Sequence, residues 1–126
     1  MLRTGILNPH INSLLSRIRH TNTLVIADRG FPFWPQIETI DIALVDGIPT
    51  VLDVLKALQH NFIIGHAWMA AEFGEHNPKL LPAYEMILPS ITFEPHIELK
   101  RRVPSAIGLI RTADTAQFAN VILESA

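Results

Sequence analysis

Residues 8–30 read NPHINSLLSRIRHTNTLVIADRG and hold the clearest sign of the fold. Asn8 is suited to cap a helix, and Pro9 suits its first turn, where a missing N–H costs nothing. Four apolar residues follow at helical spacing, namely Ile11, Leu14, Leu15 and Ile18. The run Thr23–Ala27 is short, apolar and rich in branched residues, which is typical of a buried strand. The stretch therefore predicts a helix that ends near His20, followed by a strand.

The rest of the chain continues this alternation of helices and strands. Further strands are predicted over residues 37–42, 62–71, 106–111 and 120–123. Further helices are predicted over residues 51–58, 78–88 and 95–102, with Asn77 as the cap of the second. Such alternation is typical of α/β folds, and short apolar strands suit a sheet that is covered on both faces. We therefore predict one three-layer α/β domain over residues 1–126, with a mostly buried sheet flanked by helices.

The composition limits the partners of the protein. Apolar residues make up 48% of the chain, and charged residues only 17%, below the usual ~25%. The low share of charged residues indicates that other subunits cover part of the surface. A well-packed monomer with an uncharged polar surface would also explain this composition. The net charge of −2 gives no electrostatic reason to expect binding to nucleic acid or to an anionic membrane.

Several compartments and reaction classes find no support in the sequence. No apolar run reaches ~18 residues and no secretory signal is visible, so we expect a cytoplasmic protein that does not bind membranes. The absence of cysteine excludes thiolate chemistry and is compatible with a reducing compartment. No serine lies in a G-x-S-x-G motif, and no glycine-rich phosphate loop occurs, which argues against a serine hydrolase or a nucleotide enzyme.

Three residues are candidates for a site because open α/β sheets bind ligands at the carboxyl ends of their strands. Asp28 follows the first predicted strand, and His96 opens a short helix near a later one. His20 lies at the end of the first helix, and histidine exchanges protons near neutral pH. Each has a structural alternative: His20 would suit the helix dipole, Asp28 would cap a turn, and His96 would be an exposed first-turn residue.

The segment Glu72–His76 gathers three residue types that bind metals, but its spacing matches no common zinc pattern. We interpret it as a polar loop and predict no metal site there. The basic run Lys100–Arg102 is interpreted as a solvated face in the last turn of a helix.

Several stretches resemble the D-ribose pyranase family, and the L-fucose mutarotase group is a more distant likeness. The matching stretches near the N-terminus are Gly5–His10, His20 and Val25–Pro32. The turn Gly47-Ile48-Pro49 lies where that family has a similar turn before its second helix. The matching stretches near the C-terminus are Ile110–Asp114 and Phe118–Asn120. The resemblance covers nearly the whole chain and is looser over residues 62–89.

The resemblance implies a subunit with a mixed sheet, assembled into a ring-like homo-oligomer, an octamer or a decamer, with sites between neighbouring subunits. It implies that His20 is the catalytic proton donor and that Asp28 binds the sugar. His96 matches a second histidine of the family site. Phe118 and Asn120 match an aromatic residue and an asparagine that reach the site from the adjacent subunit.

Two departures from the family pattern bear on the substrate. The family usually has tyrosine where this chain has Phe118, so one hydroxyl is missing. Arg29 stands beside the expected site where a small residue is usual, and we include it among the substrate-binding residues. A guanidinium there gives the hypothesis of an acidic or phosphorylated sugar.

We therefore expect a monosaccharide isomerase that interconverts pyranose and furanose forms, or anomers, by acid/base ring opening and closure. Opening takes a proton from the anomeric hydroxyl and delivers one to the ring oxygen, which a histidine can do without metal or cofactor. Two alternatives stay open: an inactive sugar-binding accessory protein linked to sugar uptake, and a ring protein in which the histidines are incidental.

Overall fold

Six strands form one sheet at the centre of the computed structural model, which describes residues 1–126. The strands are β1 Thr23–Ala27, β2 Glu38–Asp41, β3 Ile64–Ala70, β4 Ile91–Glu94, β5 Gly108–Arg111 and β6 Val121–Ser125. Their order across the sheet is β2-β5-β1-β6-β3-β4. β6 is antiparallel to both its neighbours, and every other adjacent pair is parallel. The mixed sheet expected from the sequence is thus confirmed.

Five short helices and one 3₁₀ turn flank the sheet. They are α1 Pro9–Arg17, α2 Val51–Leu58, α3 Ala71–His76, α4 Leu81–Ile87, α5 His96–Arg102 and the 3₁₀ turn Val103–Ser105. The cap predicted at Asn8 is present, because its side chain accepts hydrogen bonds from the N–H groups of His10 and Ile11. Thr50 caps α2 in a reciprocal arrangement with Asp53.

Side chains of the central strand alternate between two hydrophobic clusters. Leu24 and Ile26 pack in the larger cluster, which α1, α2 and α4 cover. Val25 and Ala27 point to the opposite face, where Leu99 of α5 covers them. Successive side chains of a strand point to opposite faces of the sheet, so a strand that is buried on both faces contributes to two clusters in turn. The molecule is therefore a single α/β domain in which helices lie on both faces of the sheet.

The structure differs from the sequence predictions in the middle of the chain. Glu72–His76, predicted to be a polar loop, forms most of α3. Asn77 does not cap α4: it ends α3, and its side-chain amide donates to the carbonyl of Gln117 at 2.8 Å. The edge strand β4 was not predicted, because only Ile91 of its four residues packs on the core and no alternating apolar pattern results.

The first helix ends earlier than predicted. α1 stops at Arg17, and Ile18 already has extended backbone geometry. His20 therefore lies in the connection to β1, three residues before the strand begins. In the whole structure, no helix has the length and apolar character needed to cross a membrane.

The strand directions define two ends of the sheet. β1, β3, β4 and β5 all finish at one end, and β6, which runs the other way, starts there. We call this end the carboxyl edge and the other end the amino edge. His20 belongs to the amino edge, because the N–H of Thr21 donates to the carbonyl of Ser125 at the end of β6.

Candidate active site

Three polar side chains that the sequence places far apart meet at the carboxyl edge. Asp28 follows β1, His96 follows β4 and begins α5, and Asn120 precedes β6. The N–H of Asp28 donates to Oδ1 of Asn120 at 2.8 Å. The amide nitrogen Nδ2 of Asn120 lies 3.3 Å from Nε2 of His96. Asn120 is 1% exposed, so it is a rigid link between the other two residues.

These hydrogen bonds fix the protonation pattern of the imidazole. A backbone N–H can only donate, so the carbonyl oxygen of the Asn120 amide must face Asp28 and its NH₂ group must face His96. Nε2 of His96 is then an acceptor and carries no proton. His96 is therefore a neutral imidazole with its proton on Nδ1, which has no hydrogen-bond partner within the chain.

The electrostatic environment agrees with a neutral histidine. Burial lowers the pKa of His96 below its usual 6.5, and the nearby charge of Lys100 lowers it further. Burial also raises the pKa of the Asp28 carboxyl above its usual 3.8, while a hydrogen bond from the Gly30 N–H at 2.9 Å partly offsets this effect. Both shifts disfavour the charged form, as expected for groups at the wall of a partly dry cleft.

An aromatic residue lies beside the polar set. The ring of Phe118 contacts that of His96 edge-on, with 5.1 Å between ring centroids. Phe118 has a backbone φ of 60°, in the left-handed region that side chains with a Cβ rarely adopt. Such a conformation costs on the order of 1 kcal/mol or more and is frequent at functional sites. In this backbone conformation, the ring of Phe118 forms part of the wall of a cleft.

These residues line one cleft of about 470 Å³. Its walls are formed by Asp28, Gly30, Phe31, Pro32, His76, His96, Lys100, Gln117, Phe118 and Asn120. A neighbouring groove of about 590 Å³ is more apolar and includes the exposed side chains of Phe33 and Ile97. The smaller cleft holds the convergent polar groups, and these make it the better candidate for a small polar ligand.

The closing sequence motif holds the cleft in shape rather than lining it. The hydroxyl of Thr112 donates to the carbonyl of Ala27 at 2.8 Å, at the end of β1. The buried carboxylate of Asp114 accepts from the N–H of Val51 at 2.9 Å and from that of Ala116 at 2.8 Å. These bonds join β1, α2 and the loop before β6 at the carboxyl edge, so Asp28 and Asn120 have a rigid support.

Two residues predicted for the site lie outside this cleft. His20 is exposed at the amino edge, and β1 alone, at ~3.3 Å per residue, separates the two edges by roughly 16 Å. Arg29 points away and pairs with Asp46 at 2.7 Å, with 55% of its side chain exposed. The chain thus brings together Asp28, His96, Phe118 and Asn120 but neither His20 nor Arg29.

The division of the site between subunits stays a prediction, but Phe118 and Asn120 lie on the same side of it as His96. Phe118 and Asn120 were expected to come from the adjacent subunit, yet they contact His96 of their own chain. The physical reason is the antiparallel direction of β6, which starts at the edge where β1 and β4 finish.

Three further residues of the site were not predicted from the sequence. The carboxylate of Glu72 accepts from the backbone N–H of His96 at 2.9 and 3.1 Å. His76 and Lys100 line the cleft. Had α3 been recognised as a helix, the spacing of four residues would have placed Glu72 and His76 on one of its faces.

The comparison with protein families agrees with this architecture. The model of the RbsD / FucU transport protein family matches residues 1–126. The chain belongs to this family. Among its relatives, D-ribose pyranase of Lactobacillus acidophilus is 38% identical and D-ribose pyranase of Clostridium perfringens 34% identical, each over 99% of this chain and 97% of the relative. The predicted family membership is thus confirmed.

Solved structures show the same fold. Bacillus subtilis RbsD complexed with D-ribose has a TM-score of 0.94 and 30% identity, and the match covers 100% of this chain and 98% of the other. The fucose mutarotase of Streptococcus pneumoniae in complex with L-fucose has a TM-score of 0.83 over 99% of this chain and 98% of the other. Its identity of 18% supports the shared fold alone.

Proposed function

We propose that this protein interconverts the pyranose and furanose forms, or the anomers, of a monosaccharide by acid/base ring opening and closure. The observation that carries the proposal is the hydrogen-bonded set Asp28–Asn120–His96 at the wall of a small polar cleft, in a chain whose relatives are D-ribose pyranases. The Bacillus subtilis relative is complexed with D-ribose, which supports an aldose as the ligand.

The residues of the cleft suit this chemistry. Neutral His96 presents Nδ1–H to a sugar oxygen, and the Asp28 carboxylate is an acceptor for sugar hydroxyls. The face of Phe118 offers an apolar surface for the C–H groups of the sugar. Together these groups bind and orient the ring, and the remaining requirement is a group that moves a proton between the anomeric hydroxyl and the ring oxygen.

We assign that proton transfer to His20 of a neighbouring subunit. His20 and the cleft lie at opposite edges of one chain, so a shared site requires the amino edge of one subunit to meet the carboxyl edge of the next. A contact between two different surfaces is heterologous, and heterologous contacts that close produce rings. This geometry supports a ring-like homo-oligomer with sites between subunits, for which the family resemblance implies an octamer or a decamer.

Exposed apolar side chains near both edges support such a contact. Phe33 and Ile97, 69% and 62% exposed, lie in the groove beside the cleft. Ile63, 76% exposed, lies next to β3 at the amino edge, and its carbonyl accepts from the N–H of the terminal Ala126. Apolar groups of this size are frequent at interfaces between subunits. A cytoplasmic location completes the proposal.

A second function is favoured by one observation. Phe118 has no hydroxyl where the family usually has tyrosine, so a proton or hydrogen-bond donor of the site is missing. The protein would then bind a sugar without turning it over, as an accessory to uptake.

Saturation-transfer NMR tests the proposal directly. Ring-form and anomer exchange would be measured for ribose, fucose and other aldoses, with the parent protein and with His20→Ala. We expect the parent to accelerate exchange of at least one sugar and the variant to lose the acceleration. Binding without acceleration by the parent would support the accessory protein, and neither binding nor acceleration would support a structural role.

A further inference from the structure

Two histidines contact the same aromatic ring in the cleft. The centroid of the Phe118 ring lies 5.1 Å from that of His96 and 5.1 Å from that of His76. His76 ends α3, has an exposed side chain and lines the same cleft as Asp28. Successive contacts therefore connect Asp28 to His76 through Asn120, His96 and Phe118.

The hydrogen bond of His76 fixes which ring nitrogen faces outward. Nδ1 of His76 lies 2.9 Å from the carbonyl oxygen of Glu72, one helical turn earlier. A carbonyl only accepts, so Nδ1 carries the proton, and Nε2 of the neutral ring is an acceptor. Nε2 has no partner within the chain. His96 has the opposite pattern, with its free proton on Nδ1, so the two rings offer one donor and one acceptor.

Glu72 holds both histidines in place. Its backbone carbonyl binds the imidazole of His76, and its carboxylate binds the backbone N–H of His96. A side chain held by its own helix loses little freedom when a ligand binds, which favours a binding role over a passive surface role.

We propose that His76 is a sugar-binding residue, whose Nε2 accepts a hydrogen bond from one hydroxyl of a sugar bound in the cleft that His76 shares with Asp28. This inference rests on the proposed function only for the class of ligand. His76 would then be a specificity residue. It would raise the affinity for a sugar that has a hydroxyl at that position and leave unchanged the affinity for a sugar that lacks it. It also supplies a polar contact beside Phe118, which itself has no hydroxyl.

The test measures sugar affinity rather than turnover. NMR or calorimetric titrations of the parent, His76→Ala and His76→Gln would use the aldose that the parent binds best. We expect His76→Ala to weaken binding about three- to tenfold, the loss of one hydrogen bond between neutral partners. His76→Gln, whose amide oxygen is also an acceptor, is expected to recover part of the affinity. His60→Ala is the matched control, because His60 is exposed beyond the far end of α2 and does not line the cleft.

A double-mutant cycle identifies the hydroxyl. Analogues of the sugar that each lack one hydroxyl would be titrated against the parent and His76→Ala. For one analogue, the loss of affinity caused by the missing hydroxyl and the loss caused by His76→Ala should not add. Both changes remove the same hydrogen bond. Equal affinities of the parent and His76→Ala, with no coupling to any hydroxyl, would overturn the inference. Its failure differs from failure of the proposed function, in which binding persists but the parent accelerates no exchange. A parent that binds no aldose would overturn both.

Discussion

The two edges of the sheet differ sharply in how they hold their histidines. At the carboxyl edge, His96 is partly buried and is held by Asn120 and Glu72. At the amino edge, His20 is exposed and makes no side-chain hydrogen bond within the chain. The carboxyl edge has the features of a binding site, whereas the amino edge presents an exposed imidazole without a cleft beside it. This difference is what the proposed site between two subunits requires of a single chain: a binding cleft at one edge and a free imidazole at the other.

The largest effect expected from this comparison is complementation between two impaired variants. His20→Ala should lose most exchange activity, since a positioned proton transfer contributes roughly 10²–10⁴-fold. Asn120→Ala should lose about tenfold at low sugar concentration, because it weakens sugar binding. When the two variants are refolded together, a site is intact only where the carboxyl edge of one meets the amino edge of the other. Random mixing in a ring then restores about a quarter of the parent activity, measured by saturation-transfer NMR.

The control for this experiment is the same pair of variants refolded separately and then mixed without exchange of subunits. It should show no recovery. A refolded mixture that stays inactive while forming rings would contradict the sharing of sites, and His20 would then have no role in the cleft.

A smaller effect is expected when the side chain of Asn120, which links Asp28 to His96, is removed. Asn120→Ala leaves the N–H of Asp28 without its acceptor, at a site that is almost fully buried. We expect the free energy of unfolding to fall by about 1–3 kcal/mol and the affinity for sugar to fall on the order of tenfold. Urea unfolding and sugar titration measure the two effects.

Asn61→Ala is the matched control, because Asn61 is exposed and its side chain binds only the carbonyl of Ala57. It should change neither quantity by much. An Asn120→Ala variant as stable as the parent, with unchanged affinity, would show that His96 and Asp28 are oriented without this amide.

The same comparison shows what a sequence reveals and what it does not. α1 and β1 were predictable because a cap, a proline and a helical apolar period occur together in residues 8–27. β4 was not, because an edge strand of four residues buries too little apolar surface to leave a pattern. The resemblance named Asp28, His96, Phe118 and Asn120, which the structure brings together within one chain. It did not indicate that all four lie in the same chain, because that depends on the direction of β6, which no local pattern encodes.

On acidification, His96 at the carboxyl edge should become protonated at a lower pH than an ordinary histidine. The pKa of His96 is lowered from 6.5 by burial and by Lys100, so more than half of the rings are still neutral at pH 6.5. Protonation at still lower pH puts a proton on Nε2, which then faces the NH₂ group of Asn120. We therefore expect the contribution of His96 to sugar affinity to be lost at a lower pH than a histidine with the usual pKa of 6.5 would give.

Two measurements separate His96 from Asp28, whose pKa is raised and which also titrates in acid. The ring resonances of His96 report its own titration by NMR. In addition, Lys100→Gln removes a repelling cation, so the pKa of His96 should rise and the loss of affinity should begin at higher pH. A His96 ring that titrates with its midpoint at or above pH 6.5 in the parent would contradict a neutral, hydrogen-bonded His96.

The smallest effect is expected at Arg29. Its guanidinium lies outside the cleft and pairs with Asp46 on an exposed surface, where such pairs contribute ~0–1 kcal/mol. If Arg29 instead binds an acidic or phosphorylated sugar, it must leave Asp46, and a sugar phosphate should then bind more tightly than the sugar itself. Because the pair is weak, Asp46→Ala should release Arg29 and strengthen phosphate binding a few-fold, whereas Arg29→Ala should abolish the preference. Titration of one sugar and its phosphate against the three proteins decides the matter. Equal binding of both ligands by the parent and by Asp46→Ala would remove Arg29 from the site and leave recognition to the uncharged groups around Phe118.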